Sequence, residues 1–142
     1  MHPTTNEPAR IPCESRRILI TDDEKPVRDI FRIILKTKFP SCSFDMACNG
    51  QEAIESFRQF HHGILLMDVK MPIMDGPTAF EQICTMCETL NWEKPAVIFC
   101  TGFSPAADTA QLCPPDSNFC VVRKPISSEV LIATIRARLP PA

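Results

Sequence analysis

An apolar run, Ile64 to Met67, ends abruptly on Asp68, within the stretch Leu65-Leu66-Met67-Asp68-Val69-Lys70-Met71-Pro72-Ile73-Met74-Asp75-Gly76. A second run, Ile18-Leu19-Ile20-Thr21, ends on Asp22-Asp23. Two further apolar runs end on Thr101-Gly102 and on Arg123-Lys124-Pro125. If these run ends meet, they gather three carboxylates, a hydroxyl and an amine. Carboxylates sharing one pocket repel each other, which raises at least one pKa. A divalent cation removes that cost, and oxygen ligands with several waters kept in place are what Mg²⁺ prefers. Acids to hold a metal, with a lysine and a hydroxyl beside one more acid, suit phosphoryl transfer. That chemistry is mostly positioning and charge neutralisation. An aspartate can itself be the nucleophile, forming an acyl phosphate.

The elements that would position these groups read off in order. Residues 1–15 carry Pro3, Pro8 and Pro12 with no apolar period, and are expected to be a mobile tail. The first strand ends at the Asp22-Asp23 pair. Val27, Ile30, Phe31, Ile34 and Leu35 follow at helical spacing, with Pro26 at a first-turn position. Ser43 to Cys48 reads as a second strand, Asn49-Gly50 as a turn, and Gln51 to about Phe60 as a second helix facing inward through Ala53, Ile54 and Phe57. The third strand ends at Asp68; its length and unbroken apolarity suit a strand buried on both faces. Pro77 to Leu90 predicts a third helix and Ala96 to Cys100 a fourth strand. A short fourth helix is expected from Pro105 to about Leu112, and a fifth strand from Phe119 to Val122. Ser127 or Ser128 caps a fifth helix whose stripe is Ile132, Ile135 and Leu139. Regular alternation of strand and helix implies a doubly wound α/β parallel sheet. The acid-bearing ends of strands one and three must be neighbours to make one site. That selects the flavodoxin-like (βα)5 order 2-1-3-4-5, with its switch point between those strands.

The chain of 142 residues, 44% hydrophobic and 23% charged, fits one globular domain. A net charge of −2 leaves no electrostatic footprint for nucleic acid or a membrane surface. The N-terminus has no apolar core of a secretory signal. Most of the 8 cysteines fall inside apolar patterns, so reduced thiols in a cytoplasmic protein are expected rather than a disulfide framework. Cys84-Thr85-Met86-Cys87 lies inside a helix and not at a helix N-terminus, and no second pair accompanies it, so packing is expected rather than redox chemistry or zinc. His61-His62 is assigned to a turn, Trp92 to packing and Asp75 to a turn.

With Asp22-Asp23, the Asp68 to Gly76 stretch, Thr101-Gly102 and Lys124-Pro125 in this order and on strand ends, the chain resembles a response-regulator receiver domain of two-component, phosphorelay signalling. The resemblance covers about Arg17 to Leu139, within a domain expected over 16–139. It implies that Asp68 accepts a phosphoryl group from a sensor histidine kinase or a histidine phosphotransfer protein. It implies that Asp23 and Asp68 bind Mg²⁺ directly, with the Lys70 backbone carbonyl, while Asp22 acts through metal-bound water; Mn²⁺ is a substitute ion. Thr101 and Lys124 would bind phosphoryl oxygens, Gly102 would leave the pocket open, and the Lys124-Pro125 bond would be cis. Signalling would follow as a population shift read on the surface made by the fourth helix, fifth strand and fifth helix. The family's aromatic switch position holds Val121 here, and Phe119 faces the same side by strand alternation.

Only residues 140–142 follow the last helix, so a stand-alone phosphoacceptor is expected, with no output domain, no direct nucleic-acid contact and at most slow autophosphatase activity. A receiver cut from a hybrid kinase or a multidomain regulator is the alternative. A haloacid-dehalogenase-type phosphohydrolase resembles Asp-x-Asp, and here Lys70 occupies the second acid's place. A flavodoxin-like cofactor binder needs a phosphate cradle after strand one, where Asp22-Asp23-Glu24 would repel phosphate.

Overall fold

The computed structural model describes residues 9–102 and 118–141. Five parallel strands lie in the order β2-β1-β3-β4-β5. They are β1 (Glu14–Thr21), β2 (Ser43–Ala47), β3 (His62–Asp68), β4 (Ala96–Thr101) and β5 (Phe119–Arg123). The described helices are α1 (Lys25–Lys38), α2 (Gly50–Phe60), α3 (Gly76–Leu90) and α4 (Ser128–Arg136). The helix expected over 105–112 lies outside the described residues, so α4 is the last helix of the sequence reading.

Alternation along each strand divides the core into two layers. Ile18, Ile20, Ile64, Leu66, Ile98, Cys100, Cys120 and Val122 pack under α1 and α4. Leu19, Leu65, Met67, Val97 and Phe99 pack under α2 and α3. Each fully buried aliphatic side chain stabilises the fold by about 1.5–3 kcal/mol relative to exposure, so the continuous apolar runs of β1, β3 and β4 carry the sheet. The helix starts are set locally. Asn49 accepts from Glu52 N at 2.9 Å, Asp75 from Thr78 N at 2.8 Å, and Ser127, rather than Ser128, from Val130 N at 3.1 Å. Asp75, expected in a turn, is thus the N-cap of α3.

Several expectations are adjusted. Ile30, placed on the inward stripe of α1, is 55% exposed; Phe31 and Leu35 fill the narrower strip that the sheet covers. β1 begins at Glu14, inside the expected tail. Before it, Ile11 N donates to Asn91 O at 2.9 Å and Glu93 N to Ile11 O at 2.8 Å, so residues 9–13 run alongside the segment between α3 and β4. Trp92 packs as expected, 5.8 Å from Phe57 between ring centroids. Cys87 is buried in the core and burial pushes its thiol up to about 11, which argues against a reactive C-x-x-C.

The two histidines assigned to a turn are built into the core. His61 caps the C-terminus of α2 with φ of 50°, and His62 opens β3 with 0% exposure. His62 Nε2 lies 2.7 Å from Asp45 Oδ2, which also accepts from Arg17 Nε at 2.7 Å. Burial holds the His62 imidazole below its ordinary 6.5, against the pull of Asp45. Burial alone would raise Asp45, but its bonds from Arg17 and His62 outweigh that and hold it below 3.8. With Nε2–H given to Asp45, a second proton would sit on Nδ1, which is buried without a partner. The unfolded chain therefore takes that proton first. The stability from neutral His62 is lost as pH falls through 6.5, and that from Asp45 only below 3.8. The melting temperature is expected to fall between pH 7 and pH 5, and to fall less steeply in His62→Gln, whose amide still donates to Asp45. Equal slopes in thermal melts of the two proteins would refute this assignment.

Candidate functional site

The carboxyl ends of β1, β3, β4 and β5 converge on one pocket. Strand pairing aligns Thr21 with Met67 and Asp68 with Cys100, so Asp22 and Asp68 leave adjacent strands side by side. Oxygens of Asp22, Asp23 and Asp68 lie within 4.8 Å of one another. Lys124, just past β5, reaches across. Its Nζ donates to Asp22 Oδ2 at 2.8 Å and stands 3.4 Å from Asp68 Oδ2. The side chains of Asp22 and Asp68 are 2% and 10% exposed and that of Lys124 is 23% exposed, while Asp23 opens to solvent.

The two oxygens of Asp22 are committed. Oδ2 holds Lys124, and Oδ1 accepts from Glu24 N at 2.9 Å. Its carbonyl accepts from Arg28 Nη1 at 2.6 Å. Arg28 thus secures the loop after β1, a role hidden in the sequence because Arg28 sits on α1 among other charged residues. Asp68 is freer, and its electrostatics differ. Burial raises its carboxyl above 3.8, with Asp22 and Asp23 adding to the rise and Lys124 opposing it. Burial alone would lower Lys124, but the contacts to Asp22 and Asp68 outweigh it and raise it above 10.5. The repulsion expected from gathered carboxylates thus adds, at Asp68, to the larger effect of burial.

Backbone contacts position that carboxylate. Val69 N donates to Cys100 O at 3.0 Å, and Gly76 N to Val69 O at 2.9 Å. A Cβ on Gly76 would run into the carbonyl of Asp68, so only glycine lets α3 start this close to the strand end. The intervening loop is clasped at its far side, where Gly50 N donates to Met74 O at 3.0 Å. Within it Ile73 takes φ of 71° and is 82% exposed. A β-branched residue in the left-handed region is strained, and here no burial offsets the strain.

The remaining expected site residues fall around this centre. Thr101 ends β4, half-buried, and its carbonyl accepts from Lys124 N at 2.8 Å. Gly102 follows it, exposed, and a Cβ there would meet no described atom within 4 Å. The Lys124-Pro125 bond is cis. Lys70 lies in the loop two residues past Asp68, exposed. Val121 and Phe119 both face α3 beside Phe80 and Phe99, with Phe119 edge-on to Phe99 at 5.5 Å and half open to solvent. Beside Lys124 runs an apolar groove of about 450 Å³ lined by Val27, Ile30, Phe31, Pro125 and Ile126. Exposed Ile30, a misfit for the core, forms part of its wall.

The fit of the pocket to a cation rests on its donors. Three carboxylates within 4.8 Å, one of them raised by burial and further by the other two, form a hard-oxygen set of the kind Mg²⁺ takes. The sheet of order 2-1-3-4-5 thus carries an acid cluster at its switch point, with a lysine from beyond β5 bridging to it. The sequence model described as "Response regulator receiver domain" matches residues 18–136, and the chain belongs to that family. It is 35% identical over 88 residues to the chemotaxis protein CheY of Halobacterium salinarum, covering 56% of this chain and 72% of that one. It is 40% identical over 67 residues to a protein-glutamate methylesterase/protein-glutamine glutaminase of Methanosarcina acetivorans, covering 47% of this chain and 19% of that one. The match therefore spans under a fifth of that longer relative. Among solved structures, a CheY-like receiver domain protein from Methanospirillum hungatei JF-1 superposes with a TM-score of 0.68 at 21% identity, covering 85% of this chain and 90% of that one. The yeast Ssk1 receiver domain, solved with the histidine phosphotransfer protein Ypd1, superposes at 0.66 and 20% identity, covering 88% of this chain and 86% of that one.

Two outcomes follow from this geometry. Without divalent cation, Asp68→Asn removes a buried repelled charge, and its melting temperature should exceed the wild type by roughly 2–4 °C, the shift about 1 kcal/mol produces in a domain this size. Mg²⁺ should narrow the gap by raising the wild type more; a variant that melts lower without cation would contradict the electrostatic reading. Ile73→Gly should stabilise the domain by about 1 kcal/mol through relief of the left-handed backbone, measured by urea unfolding. Unchanged or lower stability would show that the loop holds Ile73 without strain.

Proposed function

We propose that this chain accepts a phosphoryl group on Asp68 from the phosphohistidine of a sensor kinase or histidine phosphotransfer protein, in a Mg²⁺-dependent reaction. The observation that carries the reading is the state of Asp68. Burial raises its carboxyl and its acidic neighbours add to the rise, it faces Lys124 at 3.4 Å, and its oxygens are not committed as those of Asp22 are. A carboxylate oxygen of Asp68 attacks phosphorus. The new O–P bond forms as the P–N bond to the donor imidazole breaks, and that nitrogen keeps the electron pair and takes a proton. Bound Mg²⁺ supplies charge neutralisation for the carboxylates and the phosphoryl oxygens, with Mn²⁺ as a substitute. Asp23, Asp68 and the Lys70 carbonyl are the ligands we assign to it. Asp22, held by Lys124 and Glu24 N, fits a role through metal-bound water. Lys124 and the Thr101 hydroxyl hold phosphoryl oxygens, and Gly102 keeps the entrance clear.

The readout we assign is a population shift. A phosphoryl group on Asp68 competes for Lys124, which in this structure bridges Asp22 and Asp68. Loosening that bridge biases β5 and α4, which flank Lys124 in the chain. Val121 stands where the family carries its aromatic switch, and Phe119 on the same side is the aromatic able to respond. The groove beside Lys124 is the apolar surface that we assign to the phosphodonor partner, since it adjoins the reacting carboxylate. The downstream partner reads the face that contains β5 and α4. The domain is a signalling phosphoacceptor, and any autophosphatase activity is slow. The receiver of a longer hybrid kinase or regulator is the second reading, favoured by the short share of the longer relative that the chain matches.

Incubation with Mg²⁺ and a small phosphodonor should add one phosphoryl group, read by intact mass. The adduct should vanish in Asp68→Asn and on chelation. Asp23→Asn should slow its formation by at least the ~10-fold that loss of an outer metal-site partner costs. An adduct that survives Asp68→Asn would overturn the assignment. Failure with both small donors and a phosphohistidine donor, in a protein shown to bind Mg²⁺, would do the same.

A further inference from the structure

The helix start at the acid pocket is built differently from the others. A side chain caps α2, α3 and α4, through Asn49, Asp75 and Ser127. Among the described helices α1 alone begins without one; Glu24 stands at its N-cap and makes no side-chain cap bond. The turn that carries Asp22 and Asp23 is therefore set by other contacts. Asp22 N donates to Ala47 O at 3.1 Å, and Asp22 Oδ1 accepts from Glu24 N at 2.9 Å. The third contact is Arg28. Its backbone N donates to Glu24 O at 3.2 Å, and its side chain leans back toward the helix start, where Nη1 donates to Asp22 O at 2.6 Å.

The choice of acceptor is informative. Three carboxylates gather at this end of the sheet, yet half-buried Arg28 forms no ion pair with a described carboxylate. It bonds a neutral backbone oxygen instead, while Lys124 supplies the cation that the acids share. Arg28 therefore orients the turn and leaves the charge balance to Lys124. Asp22 C=O and Asp23 N belong to one planar peptide unit, so fixing that oxygen fixes the nitrogen and Cα of Asp23. Asp23 needs this more than its neighbours do. It is exposed, and no hydrogen bond or ion pair from a described residue holds its carboxylate. The direction of that carboxylate is set through its backbone.

We propose that Arg28 is a positioning residue for Mg²⁺ binding, acting through the Asp22–Asp23 peptide to aim the Asp23 carboxylate at the ion. The inference rests on the acid pocket being the Mg²⁺ site. Arg28 touches neither the ion nor the phosphoryl group. It contributes by holding Asp23 in place before the ion arrives, so that binding does not have to order the turn. Charge and positioning have opposite signs here. A guanidinium near the pocket repels a dication, so removing its charge alone would tighten Mg²⁺ binding, whereas removing its hold on Asp22 O weakens it.

The test is a Mg²⁺ titration of the full chain, followed by the amide NMR signals of Asp23 and Asp68. Arg28→Met keeps the apolar stem and loses both donor and charge. Its half-saturating Mg²⁺ concentration should rise at least ~10-fold, the cost of losing a partner that orients a metal ligand. Adduct formation with a small phosphodonor should fall at low Mg²⁺ and recover as Mg²⁺ saturates. Arg32→Met, one turn on and exposed, removes the same charge without touching Asp22 and sets the electrostatic baseline. Arg28→Gln is the second variant should the methionine protein not fold, and it should show the same shift. Half-saturation in the Arg28 variants equal to that of Arg32→Met, or tighter, overturns the inference even if their melting temperature falls, since that pattern belongs to a role in stability alone. A wild type that binds no Mg²⁺ removes the metal reading and this inference with it; a wild type that binds Mg²⁺ beside Arg28 variants that bind it equally well removes this inference only.

Discussion

Like charges brought together in a partly buried pocket are the constraint on which this architecture turns. Asp22 and Asp68 leave neighbouring strands with almost no exposure, and Asp23 stands beside them. Left alone, such a group would drive its members to take up protons or splay apart. Lys124 prevents this from a position 102 residues along the chain from Asp22. One ammonium cannot neutralise three carboxylates, so the balance is incomplete, and at Asp68 the repulsion adds to the cost of burial. The residue left electrostatically unsatisfied is the one whose satisfaction a cation or a phosphoryl group would change.

That imbalance is tolerable only because the frame around it is stiff. β3, β4 and the Ile18–Thr21 half of β1 are buried on both faces, and their apolar side chains alternate between two core layers. Close packing of this kind makes displacement of a strand end expensive. The loops are secured separately. Arg28 and Glu24 N hold the turn after β1, and Gly76 and Gly50 clamp the loop after β3. Strain at Ile73 is confined to a residue that touches little, which localises its cost in the loop beside the reacting carboxylate.

How much of this was legible in the sequence depends on the range of each interaction. Strand ends were legible because an apolar run that stops on a carboxylate is a local signal, and Asp68, Asp22 and Lys124 could be placed from it. Ser127 or Ser128 was legible as a helix cap for the same reason, whereas Asn49 and Asp75 read as turn residues and prove to cap α2 and α3. Ile30 misled because periodicity reports which residues share a helix face, not how far the sheet extends beneath that face. His62 misled because its partner Asp45 reaches it from β2, across β1, and is itself held by Arg17 of β1. The close approach at Gly76 was invisible for a related reason: a glycine between a loop and a helix reads as a turn until the carbonyl it must clear is located. The share of the readout that belongs to residues 103–117 lies outside the described structure.

The two ends of the sheet also explain each other. A parallel sheet collects the carboxyl ends of its strands, where functional side chains gather, and equally collects their starts. Here the starts bind the segment before β1 through Cys13, His61 and Glu93, while the ends hold the acids. Coupling between ends separated by whole strands requires an element with two arrangements that both ends bias. β3 touches both, opening at His62 and closing at Asp68, but it is the most deeply buried strand and has the least freedom to shift. β5 has more: it lies at the sheet edge, its outer residues Phe119 and Arg123 are exposed, and it delivers Lys124. The physical distribution of rigidity therefore assigns anchoring to the centre of the sheet, while the lysine that balances the acid pocket follows an edge strand.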